Sequence, residues 1–161
     1  DIAAQMYNNV YNLKIIITRM FTYINPRRNN LFQSAFAKQI LKIKKSKNKI
    51  LKHGNLKSIR SFLSLNDAMR AYWLVAQRGK NGEIYNIGGT KAYRVGDILN
   101  KLLKISNVKA IKKVDKKLIR IKDVTLQLPN IKIFTRDTGW KQRENLDQSL
   151  KSLLDEMSKK N

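Results

Sequence analysis

The run "KIIITRMF", Lys14 to Phe21, constrains the fold more than any other stretch of this chain. Ile15 to Thr18 are four consecutive β-branched residues. Branching at Cβ restricts χ1 and favours extended backbone. A continuous run of this kind, without polar alternation, predicts a parallel strand covered on both faces. Parallel strands need long crossover connections, usually helices, and both flanks offer one. Upstream, "AAQMYNNVYN" puts Ala4, Tyr7 and Tyr11 on one side at helical spacing. Downstream, "LFQSAFAKQILKI" directs Leu31, Ala35, Phe36 and Ile40 to one side. The intervening "TYINPRRNN" predicts a loop, because Pro26 biases Asn25 away from helix.

The alternation of element types continues. "GNLKSIRSFLSL" is extended and opened by Gly54. "SLNDAMRAYWLVAQR" is the clearest helix, capped by Ser64 or Asn66, with Asp67 at its positive end and Ala68, Ala71, Tyr72, Val75 and Ala76 as a core stripe. Gly79 and Gly82 end it, and "EIYNIGG" forms a short strand with a Gly-Gly stop. A helix starts at Val95 or Gly96, "VKAIKKVD" alternates as a half-exposed strand, and a short helix ends at Gly139-Trp140. Leu146, Leu150, Leu153, Leu154 and Met157 share one side of a closing helix. The lysine-rich "LKIKKSKNKILKHG" predicts the solvated end of a helix and the loop after it, with His53 at the surface. Repeats and low-complexity linkers are absent, so residues 1–161 carry no assigned internal boundary. The expected class is α/β, part of a doubly wound parallel sheet plus a smaller α+β lobe.

Composition excludes several functions. Cysteine is absent and His53 is the only histidine, so disulfides, thiolate metal sites and multi-histidine centres are ruled out. No apolar run approaches the roughly 18 residues of a membrane span, and the first apolar run carries charges, so no leader peptide is expected and the cytoplasm is the expected compartment. The formal charge of +23 admits a nucleic-acid binder. Lysine, however, is spread along the whole chain and accompanied by abundant Asn and Ile, all with A/T-rich codons. Compositional drift is therefore preferred and nucleic acid is not the expected partner.

Catalytic signatures are missing. "NIGGTKAYRVGD" lacks dinucleotide-loop spacing, no Walker pattern occurs, and no tyrosine has a lysine four residues on. Arginines at element ends remain: Arg27 and Arg28 after a strand, Arg60, and Arg120. Loops beyond the carboxyl ends of parallel strands bind ligands in α/β folds, and guanidinium forks suit diphosphates.

Six segments in order, "RMFTYINPRRNNLFQSAFAKQI", "HGNLKSIRSFLSLNDAMRAYWL", "GEIYNIGG", "RVGDIL", "RIKDVTLQLPNIKIFTRDTGW" and "ENLDQSLKSLLDEM", resemble the carboxy-terminal half of extended short-chain dehydrogenase/reductases acting on nucleotide sugars. The GDP-mannose 4,6-dehydratase type is the nearest match. The resemblance implies the carboxy-terminal part of a Rossmann-type sheet plus a small sugar-nucleotide lobe, NADP or NAD as cofactor, and GDP-mannose or a related nucleotide sugar as ligand. It implies oxidation at C4 of the hexose, loss of water across C5–C6 and return of the hydride at C6. Arg28 matches an arginine contacting the cofactor, and Tyr23 falls where many such dehydratases place a cofactor-contacting histidine. Lys38 is similar to a basic residue near the nucleotide phosphates. Arg60 and Arg120 match arginines near the diphosphate and the base or ribose, Asp123 matches an acidic nucleotide contact, and Ile121 replaces an expected proline. Arg27 is expected to be structural. The family's Tyr-x-x-x-Lys pair belongs immediately before "AAQMY" and its glycine fingerprint far upstream. A fragment, split-gene half or decayed copy is therefore expected, inactive alone, and prone to self-association or to pairing with an amino-terminal half. An epimerase or 4-keto reductase part of the same superfamily is the alternative, and a basic nucleic-acid-binding protein a further one.

Overall fold

The computed structural model describes residues 1–28, 30–119 and 123–159. The elements run α1 (Ile2–Tyr11), β1 (Ile17–Met20), α2 (Phe32–Lys44), β2 (Ile50–His53), β3 (Ile59–Ser61), α3 (Leu65–Arg78), β4 (Ile84–Ile87), β5 (Ala92–Arg94), α4 (Val95–Ser106), β6 (Ile111–Val114), a 3-10 turn (Lys116–Leu118), β7 (Leu126–Gln127), α5 (Lys132–Thr138) and α6 (Leu146–Ser158). Strand β1 pairs in parallel with β4, placing Ile17 beside Ile84. Strand β2 pairs in parallel with β6. Strand β3 pairs antiparallel with β5 and parallel with β7. The expected α/β class is present.

The side chains gather into two cores. One joins α2, α4 and α6 through Phe36, Ile40, Leu99, Leu102, Leu150 and Leu153, with Leu51 from β2 and Phe62 from the segment after β3. The other packs α3 and α5 on the β1–β4 sheet through Ala68, Ala71, Val75, Tyr85, Phe134 and Trp140. Small residues on α3 let the helix approach the sheet. Each fully buried Leu, Ile or Phe contributes about 1.5–3 kcal/mol relative to exposure. The two cores meet where Tyr23 bridges Leu63, with Ile24 N–H donating to the Leu63 carbonyl (2.9 Å) and Leu63 N–H to that of Thr22 (3.1 Å). This joint sits beyond the carboxyl end of β1.

Local signals explain the boundaries. Ser64 caps α3, accepting from Asp67 N–H at 2.9 Å. Asn145 and Gln148 form a reciprocal capping box on α6. Gly139, at φ 68°, closes α5 in the left-handed region.

Several expectations need correction. Strand β1 is only partly buried, because the α3–α5 core covers one of its faces and, among the described residues, no second layer buries Ile15 and Ile17. Tyr7 and Tyr11 do share a side of α1, stacked with centroids 5.3 Å apart, but both are exposed. Tyr72 and Ala76 are exposed rather than part of the α3 stripe, since only the Ala68–Ala71–Val75 side meets the sheet. The lysine-rich stretch is not all helix end and loop. Ile50–His53 is a strand, and its alternation buries Leu51 and His53, so His53 is not a surface residue. All four residues of β6 are exposed, where a half-exposed strand was expected.

Asp137 anchors α5 to the start of β4. Its carboxylate accepts from Arg136 Nε (2.7 Å), Lys80 Nζ (3.2 Å) and the Tyr85 hydroxyl (3.0 Å). The Arg136 hydrogen bond, helped by Lys80 and Tyr85 against the opposing effect of burial, holds the Asp137 carboxyl well below the usual carboxylate range. A depressed folded-state pKa contributes stability that is present above the unfolded value of about 4 and is lost as pH falls toward the folded one. The thermal midpoint is therefore expected to fall as pH drops below about 4. Asp137→Asn is expected to lower the neutral-pH midpoint and flatten that fall; an unchanged acid limb in the variant would contradict this account.

Candidate nucleotide-sugar site

Two adjoining clefts open at the joint between the cores. The first, about 350 Å³, lies between α2, β2 and β3 and is lined by Phe32, Phe36, Lys52, Ser58, Arg60 and Asp123, among others. The second, about 340 Å³, is lined by Tyr23, Arg28, Tyr72 and Gln127 among others. Thr22 and Leu31 line both. Volumes of this size suit small-molecule ligands.

The polar floor of the first cleft is built from a tight turn. Asn55 Oδ1 accepts from Lys57 N–H at 2.9 Å, an Asx turn. The turn aims its remaining polar groups at Asp123, which accepts from the Ser58 hydroxyl (2.5 Å) and from Asn55 Nδ2 (2.9 Å). Arg60 donates to the Ile59 carbonyl at 2.8 Å and pairs with Asp123 at 3.4 Å. The Ser58 hydrogen bond leads in holding the Asp123 carboxyl below its ordinary range; burial opposes it, and Asn55, Arg60 and the Val124 N–H reinforce it. Asp123 is thus a fixed anion that orients Arg60. The apolar wall comes from Leu31, Phe32, Ala35, Phe36, Val95 and Leu118. Phe32 and Phe36 meet edge to face at 5.8 Å. Gly54 permits the close approach of the 3-10 turn, since a Cβ there would lie 2.3 Å from the Leu118 carbonyl oxygen.

The second cleft is shaped by the loop after β1. Asn25 Oδ1 accepts from Arg27 N–H at 2.9 Å, while Arg28 N–H donates to the Asn25 carbonyl at 3.2 Å. This turn, entered through the buried Pro26, presents Arg28 in the same cleft as Tyr23. Arg27 serves the turn through its backbone, and its side chain is exposed.

The structure thus brings Tyr23 and Arg28 into one cleft and Arg60 and Asp123 into its neighbour. Lys38 is exposed on α2 and lines neither cleft. Arg120, like Ile121, lies outside the described residues. Asn55, Ser58, Gln39 and Lys52 were missed as site residues. The Gly-Asn opening of "GNLKS" signalled the turn, whereas the alternation in Ile50–His53 is one of burial and not of residue type.

Chemically, the arrangement sets a guanidinium paired with a carboxylate beside an apolar wall. Among the described residues, no group of three or more His, Cys, Asp or Glu could hold a metal ion. No described helix is long and apolar enough to cross a membrane.

Comparison with known proteins agrees with this architecture. The chain is 27% identical over 158 residues to the trifunctional UDP-glucose 4,6-dehydratase/UDP-4-keto-6-deoxy-D-glucose 3,5-epimerase/UDP-4-keto-L-rhamnose-reductase of Arabidopsis thaliana, covering 96% of this chain and 23% of that protein. Its fold matches the structure of RMD from Pseudomonas aeruginosa complexed with NADPH, with TM-score 0.90, 20% identity, and coverage of 99% of this chain and 52% of that one. It also matches UDP-glucuronic acid 4-epimerase from Bacillus cereus, solved with UDP-glucuronic acid and NAD, with TM-score 0.85, 24% identity, and coverage of 98% and 49%. The chain thus spans about half the length of these solved structures and about a quarter of the plant enzyme. These likenesses show the Rossmann-type fold that the chain shares with both solved structures. The family model for GDP-mannose 4,6 dehydratase matches residues 1–153, and the chain belongs to that family.

Proposed function

We propose that this chain is the nucleotide-sugar-binding portion of a 4,6-dehydratase acting on GDP-mannose, with NADP or NAD as its cofactor. The observation that carries the proposal is the pair of adjoining clefts: Arg60 and Asp123 line one, Arg28 and Tyr23 the other, and Thr22 and Leu31 form their common wall. A sugar held between a nucleotide and a dinucleotide requires two such neighbouring sites. The first cleft joins a guanidinium fixed by a carboxylate to an apolar wall, a combination suited to a diphosphate and a planar base. The second offers a cation and a phenol, which fit a phosphate and a ribose or carboxamide of a dinucleotide. When bound, that cofactor supplies a hydride acceptor and donor. The residues of this chain bind and orient. Asp123 keeps Arg60 aimed, and the Asn25 turn presents Arg28.

These 161 residues contain neither Tyr-x-x-x-Lys nor GxGxxG. Alone, they are expected to bind nucleotide without turning it over. An epimerase or 4-keto reductase part is the second candidate, supported by the fold shared with the Bacillus cereus epimerase.

A thermal-shift titration tests the binding. GDP at about a hundred times its Kd is expected to raise the midpoint by about 5–10 °C. UDP and dTDP should raise it less, and Arg60→Ala should abolish the GDP effect. An equal shift in Arg60→Ala, or binding only to DNA with strong salt sensitivity, would contradict the proposal. Formation of the 4-keto-6-deoxy product from GDP-mannose and NADP by these residues alone would refute the expected inactivity.

A further inference from the structure

Among the described residues, the charges lining the first cleft do not balance for a diphosphate. Arg60 and Asp123 largely offset each other at 3.4 Å. Of the other described residues lining the cleft, Lys52 carries the remaining charge. Its side chain is 62% exposed, so its ammonium stands at the cleft's rim. Its only acidic partner among the described residues is Asp115, at 3.6 Å, which is beyond hydrogen-bonding distance. Asp115 does not line the cleft.

The backbone of Lys52 is fixed with unusual care for an exposed lysine. Gln39, from α2, accepts from Lys52 N–H at 2.9 Å and donates to the Lys52 carbonyl at 3.0 Å. This bidentate clamp takes the place of a neighbouring strand on the edge of β2 opposite β6. Gln39 also lines the cleft. Helix α2 therefore sets the position of Lys52 relative to the apolar wall that it carries itself.

Resting on the nucleotide-binding function proposed above, we propose that Lys52 is a further ligand-binding residue, whose ammonium leaves Asp115 to compensate the diphosphate of the bound nucleotide. Gln39 is its positioning residue. Asp115 competes with the ligand for the same cation, so removing its charge strengthens binding. Asp115 Oδ1 also caps the 3-10 turn by accepting from Lys117 N–H at 3.1 Å, and asparagine keeps that acceptor.

Calorimetric titration of the whole chain with guanosine, GMP and GDP tests this. Lys52→Gln is expected to weaken GDP binding about tenfold, to leave guanosine binding unchanged, and to reduce the salt dependence of GDP binding. Lys52→Arg should restore GDP affinity. Asp115→Asn should tighten GDP binding by about two- to fivefold, the size of an exposed ion pair. A purely structural role for Lys52 would lower guanosine and GDP affinity together. Equal GDP affinity in Lys52→Gln and the unaltered chain overturns this proposal alone. If the unaltered chain binds neither guanosine nor GDP, the nucleotide-binding function falls with it. Unliganded thermal midpoints confirm that each variant is folded.

Discussion

Asp67→Ala is expected to destabilise the chain by about 3–5 kcal/mol. Asp67 is 1% exposed, at the start of α3. Its carboxylate accepts from Arg143 N–H at 3.2 and 3.1 Å, from Glu144 N–H at 2.9 Å and from the Arg70 guanidinium. The Asp67 carbonyl also accepts from the indole N–H of the buried Trp140 at 3.3 Å, and Arg70 lies over the Trp140 ring at 5.7 Å. One carboxylate thus holds the 141–145 segment, which leads into α6 of the first core, against α3 of the second. Truncation leaves two backbone donors without their acceptor and takes the carboxylate from the Arg70 guanidinium, which keeps the Lys141 carbonyl. In a urea titration the midpoint is expected to fall by about 1–3 M. Asp67→Asn should lose less, because one acceptor oxygen survives. A loss below about 1 kcal/mol for Asp67→Ala would show that the segment is held by other contacts.

Gly89→Ala is expected to cost about 3 kcal/mol or more, at the upper end for overpacking. A Cβ at Gly89 would lie 2.2 Å from the Phe62 carbonyl oxygen and 2.8 Å from its nitrogen and carbonyl carbon. All three are backbone atoms of the segment joining β3 to α3, so rotamer change cannot relieve the clash. Phe62 in turn packs edge to face on Phe32 at 5.8 Å, and Phe32 lines the first cleft. The displacement should therefore weaken ligand binding as well as stability. Gly96→Ala is the control. Its Cβ would stand 3.3 Å from the Leu56 carbonyl, and the gain in helix propensity, up to about 1 kcal/mol, opposes that crowding. A near-neutral result at Gly96 beside a large loss at Gly89 would separate backbone clash from general loss of glycine.

Helices were legible where apolar spacing and end signals agreed. Ser64 capping α3, the Leu146–Met157 stripe of α6 and Gly139 after α5 all stand as expected. Burial was less legible. The β-branched run at Ile15 announced a strand correctly, but which faces are covered depends on what packs there, and sequence period does not report that. Strand β2 was hidden because its lysines dominate the composition of Leu41–Gly54, while the alternation that buries Leu51 and His53 spans only four residues. Of the candidate site residues, the arginine at the "PRR" loop and the "GNLKSIR" segment led to the clefts because turn chemistry fixes both. Lys38 lies outside both clefts, and its lone charge on an exposed helix position carried no turn or strand signal to place it.

If the cleft between α2, β2 and β3 is the nucleotide site proposed above, a bound nucleotide perturbs the residues that line it. A 15N–1H correlation spectrum of the labelled chain, recorded with and without GDP, tests it most directly. Saturable shifts are expected at Phe36, Lys52, Gly54, Ser58, Arg60 and Asp123, with little change along α6. Shifts spread over the exposed lysines and abolished by salt, or no shifts at all, would contradict it.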